Sequence, residues 1–192
     1  MRFIPNDIKG KILTLNYANI KYNDIANGEG VRTSLFVSGC THHCPHCFNP
    51  ETWDFNYGNP LTEEIENQIL NSLKPNHING LTLLGGEPME PANQKGLLGL
   101  VKKVKENYPN KTIWCYTGYL FDEELLKPSR ARCPWTDELL SYIDIIVDGE
   151  FKIDLKDITL RFKGSSNQRI IDVQKSLKAK EVILSPFNEK KK

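Results

Sequence analysis

An α/β fold of mostly parallel strands with outer helices is predicted by three features of this 192-residue sequence. Apolar, β-rich runs alternate with segments of helical periodicity, the connections are short, and four of the runs stop at glycine-bearing loops. Such alternation marks βαβ units, whose crossover helices cover the sheet. In these folds chemistry gathers at the C-terminal ends of the strands. The cysteine-rich loop after residue 39, Gly85–Gly86–Glu87, Tyr116–Thr117–Gly118 and Asp148–Gly149 each follow a strand and are expected on one rim.

The elements follow in order. "TSLFVSG" (33–39) reads as a buried strand that ends at the first cysteine. In "LTEEIENQILNSL" (61–73), Ile65, Ile69 and Leu73 recur four apart, Thr62 is placed as N-cap and glutamates fill the first turn, which predicts a helix. "GLTLLGG" (80–86) is a strand stopped by paired glycines. From about Pro91 to Asn107, Leu97, Leu100, Val101 and Val104 share a helical face while Lys102, Lys103 and Lys105 point away. "KTIWCYTG" (111–118) is a strand, 127–137 a surface insertion, "TDELLSYI" (136–143) a helix and "DIIVDGEF" (144–151) a strand. No internal repeat or low-complexity linker interrupts the pattern.

Composition narrows the function classes. The chain is 39% hydrophobic and 26% charged, as folded soluble proteins are. Its 25 basic and 24 acidic residues leave a formal charge of +1, which argues against a nucleic-acid or anionic-membrane partner. The basic run Glu189–Lys192 reads as a solvated tail. No apolar stretch approaches the roughly 18 residues of a membrane span, and the N-terminus lacks a signal-peptide core, so a cytoplasmic location is expected. Five cysteines, three of them within eight residues, point to metal rather than disulfides. Cys115 and Cys133 stand apart and are read as structural or incidental.

The stretch "GCTHHCPHCFN" (39–49) spaces its thiols as Cys-x3-Cys-x2-Cys. Structural zinc wants four closed ligands, usually as two separated pairs. There is no second CxxC, and His42, His43 and His46 are crowded too closely to complete a tetrahedron easily. Iron–sulfur clusters are held by thiolates, and a cubane bound by Cys40, Cys44 and Cys47 keeps one iron without a protein ligand. That corner is a coordination site for a small molecule; structural zinc stays as the alternative. His46 and Phe48 flank Cys47 closely enough to touch whatever fills the corner.

"CTHHCPHC" resembles the CxxxCxxC signature of the radical S-adenosylmethionine superfamily, and "LLGGEP" (83–88) resembles its GGEP motif. "NGEGVRTSLFVSGC" (27–40) resembles the entry segment of glycyl-radical activases. "CFNPETWDFNYG" (47–58), "WCYTGY" (114–119), "VDGEFKIDLKD" (147–157) and "RFKGSSNQR" (161–169) look like the activating proteins of anaerobic (class III) ribonucleotide reductase. The matches cover roughly residues 17 to 174 of what is read as one domain, 1–192, with a short N-terminal extension and a basic tail.

The resemblance implies a partial, open β/α barrel, since the chain is short for a complete one of about 250 residues. It implies a [4Fe-4S] cluster on Cys40, Cys44 and Cys47, with the amino and carboxylate groups of S-adenosylmethionine on the open iron. The reaction it implies is reductive cleavage to a 5′-deoxyadenosyl radical, which takes hydrogen from a glycine in the reductase's large subunit. Flavodoxin or ferredoxin would supply the electron. Gly85 and Gly86 would let backbone approach the methionine moiety, and Glu87 would accept a hydrogen bond from its amino group. Phe48 would pack on the adenine, with core packing as the bland alternative. Asp148 would contact the cofactor or a nearby cation, or merely form an Asp-Gly turn. Thr117 is a weaker case of the same kind, Arg32 either steadies ligand charge or forms a surface salt bridge, and Gly164–Arg169 is a cofactor-side or partner-contact loop. Gly28–Glu29–Gly30 departs from the family's Gly-Pro-Gly, which removes a fixed φ. Activation of pyruvate formate-lyase, a small-molecule radical reaction and a non-catalytic zinc protein are the rival readings.

Overall fold

The structure, a computed structural model, describes residues 15–188. The N-terminal extension up to residue 14 and the basic tail Glu189–Lys192 lie outside the described residues. The elements are β1 (Asn16–Asp24), β2 (Val31–Val37), β3 (Asn59–Pro60), α1 (Glu63–Ser72), β4 (Ile78–Gly85), α2 (Pro91–Asn107), β5 (Thr112–Tyr116), α3 (Thr136–Tyr142), β6 (Ile145–Asp148), β7 (Arg169–Asp172) and α4 (Val173–Ala179). The strands form one seven-stranded sheet in the order β3-β1-β2-β4-β5-β6-β7. Its middle, β2-β4-β5-β6, is parallel; β1, β3 and β7 add on antiparallel. The end strands β3 and β7 do not pair with each other, so the sheet is open.

The expected parallel strands and their helices are present, with Thr62 capping α1 through its hydroxyl. The antiparallel additions were not legible. β1 is polar and half exposed, with asparagines that disfavour strands, and β7 has only four residues. Pairing with β2 and β6, not intrinsic preference, makes them strands.

Side chains alternate between the two faces of the sheet. One face presents Leu35, Val37, Leu81, Leu83, Ile113, Cys115 and Ile146 to the helices, where Ile69, Leu97, Leu100, Val101, Val104 and Leu139 complete the main core. The other face carries a smaller cluster of Trp114, Ile145, Val147 and Ile170, covered by Phe162 and Phe187.

Two expectations are corrected here. Arg32 is neither at the cavity nor in a surface salt bridge; it is fully buried in the sheet. Its guanidinium donates to Thr82 Oγ1 at 2.7 Å, to Leu81 O and Thr112 O at 2.8 Å, to Thr112 Oγ1 at 3.0 Å and to Glu29 O at 3.2 Å, and lies 5.5 Å from the Trp114 ring. Burial pushes its pKa down to about 10. The bond to Glu29 O, with Asn79 Oδ1 accepting from Val31 N, ties down the turn that lacks the family proline. The segment 127–137 is not a plain surface insertion either. Ala131 and Thr136 are buried, and Gln94 of α2 donates to Ala131 O and accepts from Thr136 Oγ1, both at 2.7 Å. Cys133 joins that contact and Cys115 is core. Among the described residues, no helix is long and apolar enough to cross a membrane.

Candidate functional site

The cysteine loop begins where β2 meets the end of β4. Gly86 N donates to Val37 O at 2.8 Å, Glu87 N to Gly39 O at 2.9 Å and Gly39 N to Thr52 O at 2.7 Å. Asn93 of α2 donates to Ser38 O at 3.0 Å and Glu87 O at 2.9 Å. A Cβ on Gly86 would lie 2.7 Å from Gly39 O and 2.8 Å from Thr52 O. Gly85 has φ +110°, and its Cβ would lie 2.7 Å from Val37 N. These glycines are therefore required by the chain's own backbone, whereas the sequence had suggested the approach of a ligand. They also line the cavity.

That cavity measures about 440 Å³ and is lined by Cys40, Cys44, Cys47, Phe48, Gly85, Gly86 and Glu87, together with Thr117. Two predicted site residues stand off the wall. His46 is exposed, with φ +61°. Asp148 is fully buried at the end of β6, where it accepts from Phe121 N at 2.8 Å and pairs with Arg169. Arg169 also reaches Asp122 at 2.7 Å. Phe48 is 66% exposed, which rules out core packing; its ring sits 5.1 Å from Phe151.

All five cysteines are free thiols. Burial first, then the charge of nearby carboxylates, pushes Cys40 up to about 12. Burial and Glu150 push Cys44 up to about 11. Such thiols ionise only beside a compensating positive charge, as a bound metal supplies. Among the described residues, no three His, Cys, Asp or Glu side chains are gathered as the ligand set of a single metal ion. Three thiols lining one cavity fall short of the four closed ligands of structural zinc and are the donor type of an iron–sulfur group.

A shell of carboxylates supports the loop, of which sequence reasoning named Glu87 and missed Glu90 and Glu150. Glu87 is buried; Oε2 accepts from Gly118 N at 2.7 Å and Oε1 from Met89 N at 2.8 Å. Its remaining lone pairs are what a ligand amino group can use. His42 Nε2 lies 3.2 Å from Glu87 Oε2, an ion-pair distance without hydrogen-bond alignment, and His42 Nδ1 is 2.7 Å from Glu150 Oε1. Burial opposes charge on this imidazole, but Glu87 and then Glu150 outweigh it and raise its pKa. Glu90 accepts from Thr41 N at 2.9 Å, from the Thr41 hydroxyl and from Tyr119 OH at 3.2 Å. The Tyr119 ring lies 4.3 Å from His42, and Arg130 lies over Tyr119 while donating to Thr41 Oγ1 at 3.2 Å. Nothing in the spacing of the histidines singled out His42, because its partners arrive from distant strands.

The Gly164–Arg169 loop now has a physical account. Gln168 Oε1 accepts from Gly164 N at 2.8 Å and Ser165 N at 3.2 Å, and its Nε2 donates to Gly149 O at 3.0 Å. Asn167 donates to Glu150 O at 2.9 Å. These side chains fasten the loop to the end of β6, and Gly164 and Gln168 line the cavity.

The 4Fe-4S single cluster domain family matches residues 26–171, a span that contains the cysteine loop, Gly85–Glu87 and Asp148. A protein of Pasteurella multocida (strain Pm70), named anaerobic ribonucleoside-triphosphate reductase-activating protein, is 45% identical over 158 residues, covering 81% of this chain and 96% of its own length. A protein of the same name from Escherichia coli (strain K12) is 42% identical over 156 residues, 80% of this chain and 96% of its own. Another from Enterobacteria phage T4 is 38% identical over 156 residues, 81% of this chain and 93% of its own.

Proposed function

Because the chain belongs to the family of anaerobic ribonucleoside-triphosphate reductase-activating proteins, we propose that it is a radical S-adenosylmethionine activase for the large subunit of anaerobic ribonucleotide reductase. Cys40, Cys44 and Cys47 would hold a [4Fe-4S] cluster, leaving one iron for the amino and carboxylate groups of S-adenosylmethionine. When bound, the pair would supply the radical chemistry, reductive cleavage of the sulfonium C–S bond coupled to removal of a hydrogen atom from the Cα of a glycine.

The chain's own residues bind, orient and shield. Glu87, held by Gly118 and Met89, offers its free lone pairs to the ligand amino group. Gly85 and Gly86 keep the wall beside it free of side chains. Phe48 provides an aromatic face for the adenine, and His46 stands exposed near Cys47. Asp148 acts through Arg169, which fastens the start of β7 beside the cavity. The open sheet is read as a partial β/α barrel, a single radical S-adenosylmethionine domain whose lateral mouth admits a protein segment. Flavodoxin or ferredoxin is the electron donor in this reading.

The observation that carries the proposal is that three thiols and the Gly-Gly-Glu turn line one cavity. Anaerobic, iron-reconstituted protein mixed with S-adenosylmethionine, a reductant and the reductase should produce a glycyl radical, detected by electron paramagnetic resonance. Cys40→Ala should abolish formation of 5′-deoxyadenosine. Wild-type protein that gives no radical on the reductase, but does so on pyruvate formate-lyase, would move the assignment to that enzyme.

A further inference from the structure

Glu150, Phe151 and Leu160 line the cavity, and between them residues 152–159 leave its wall as a strap. The centre of the strap is a 3-10 turn, Ile153–Leu155. Backbone bonds fasten it to the Gly164–Arg169 loop. Lys152 N donates to Ser165 Oγ at 3.2 Å, Ser166 N to Leu155 O at 2.9 Å and Asp157 N to Gly164 O at 3.3 Å. The strap nevertheless turns its aliphatic side chains to solvent. Ile153 and Leu155 are each 41% exposed and Ile158 is 90% exposed, and among the described residues none of the three joins a core cluster.

A single exposed aliphatic residue is ordinary. Three within residues 153–158 of a fastened loop, with Lys152, Asp154 and Lys156 interleaved as a polar rim, are the pattern of a protein contact. The patch also runs into the cavity. The Phe151 ring, at the foot of the strap, lies 5.1 Å from that of Phe48, and Lys156 Nζ lies 5.8 Å over the Phe48 ring.

Position decides what covers the patch. A cavity of about 440 Å³ admits a peptide segment but not a folded protein, so the protein that carries the segment must rest on the rim. A second copy of this chain seated there would shut the mouth. An electron can reach the thiol loop from any side, so its donor has no need of this rim.

We propose that the 153–158 strap is a docking surface for the large subunit of the reductase, with Ile153, Leu155 and Ile158 burying against an apolar surface beside its glycine-bearing segment. The inference rests on the activase reading and adds to it the place where the protein substrate is held.

Ile158→Ser tests it, with Ile158→Leu as the conservative partner. At 90% exposure the residue packs on little of its own chain, so both variants should melt as the wild type does and bind the same iron. In reconstituted protein, affinity for the reductase large subunit, measured by sedimentation, should fall by about tenfold for Ile158→Ser and hold for Ile158→Leu. Leu155→Ser should weaken it in the same direction. Unchanged affinity in both serine variants would overturn the inference. So would an Ile158→Ser protein that melts lower, because the side chain would then be covered within the chain. A wild-type dimer that Ile158→Ser splits, with reductase affinity unchanged, would give the patch to a second copy. A defect seen only when reduced flavodoxin replaces dithionite would give it to the electron donor; either result sinks the docking inference. Wild-type protein that makes no radical on the reductase overturns the activase reading itself, whereas wild-type radical with unaltered serine variants overturns the docking surface alone.

Discussion

Gly86 shows how one missing side chain sets the geometry around the thiols. The atoms its Cβ would meet, Gly39 O and Thr52 O, are backbone atoms that already accept from Glu87 N and Gly39 N, so they cannot yield cheaply. Gly86→Ala should destabilise the protein by about 1–3 kcal/mol and lower the iron bound per chain, measured by thermal denaturation and iron analysis. Gly99 is the contrast: it is exposed on α2 with nothing within 4 Å of its Cβ position. Gly99→Ala should stabilise by about 0.4–1 kcal/mol, because only the unfolded chain loses freedom. Equal effects at the two sites would refute the packing argument. The Gly-Gly pair was legible as a place of close approach; what approaches it was not, since Thr52 and Gly39 meet it only in the folded sheet.

Among the elements, α2 does most to hold the site together. Its apolar stripe of Leu97, Leu100, Val101 and Val104 was readable from helical period and is core. Its first turn was not readable, because Glu90, Asn93 and Gln94 look like surface residues and yet are buried. Each reaches another part of the chain: Glu90 to Thr41, Asn93 to Ser38 O, Gln94 to Ala131 O. Asn93→Ala should cost about 1–3 kcal/mol in chemical denaturation, since two buried carbonyls lose a donor. A loss below about 0.5 kcal/mol would mean that water replaces the amide without penalty.

For the whole molecule, the end of β6, the start of β7 and the turn after β5 are tied together by the pairing of Arg169 with Asp148 and Asp122. Burial raises the pKa of Asp122, but Arg169 outweighs it and holds the carboxyl below its ordinary 3.8. Asp24 is likewise held low, burial being outweighed by Ser34, Ala26 N and Asn27. A carboxylate whose folded pKa is depressed adds stability that is fully present above its unfolded value and is lost as pH falls through the folded value. The melting temperature should therefore fall as pH drops below about 4, and Asp122→Asn should flatten that fall; a variant with the wild-type acid slope would remove Arg169–Asp122 from the account. By itself the sequence determined what is local: the strand and helix periods, the Cys-x3-Cys-x2-Cys spacing, the Gly-Gly-Glu turn and hence the family. Only the tertiary structure decided that His42 meets Glu87 and Glu150, that Arg32 is buried among carbonyls and that Asp148 is occupied by Arg169. Periodicity is written in neighbouring residues, whereas burial and partnership depend on strands that crossover connections bring together from distant parts of the chain.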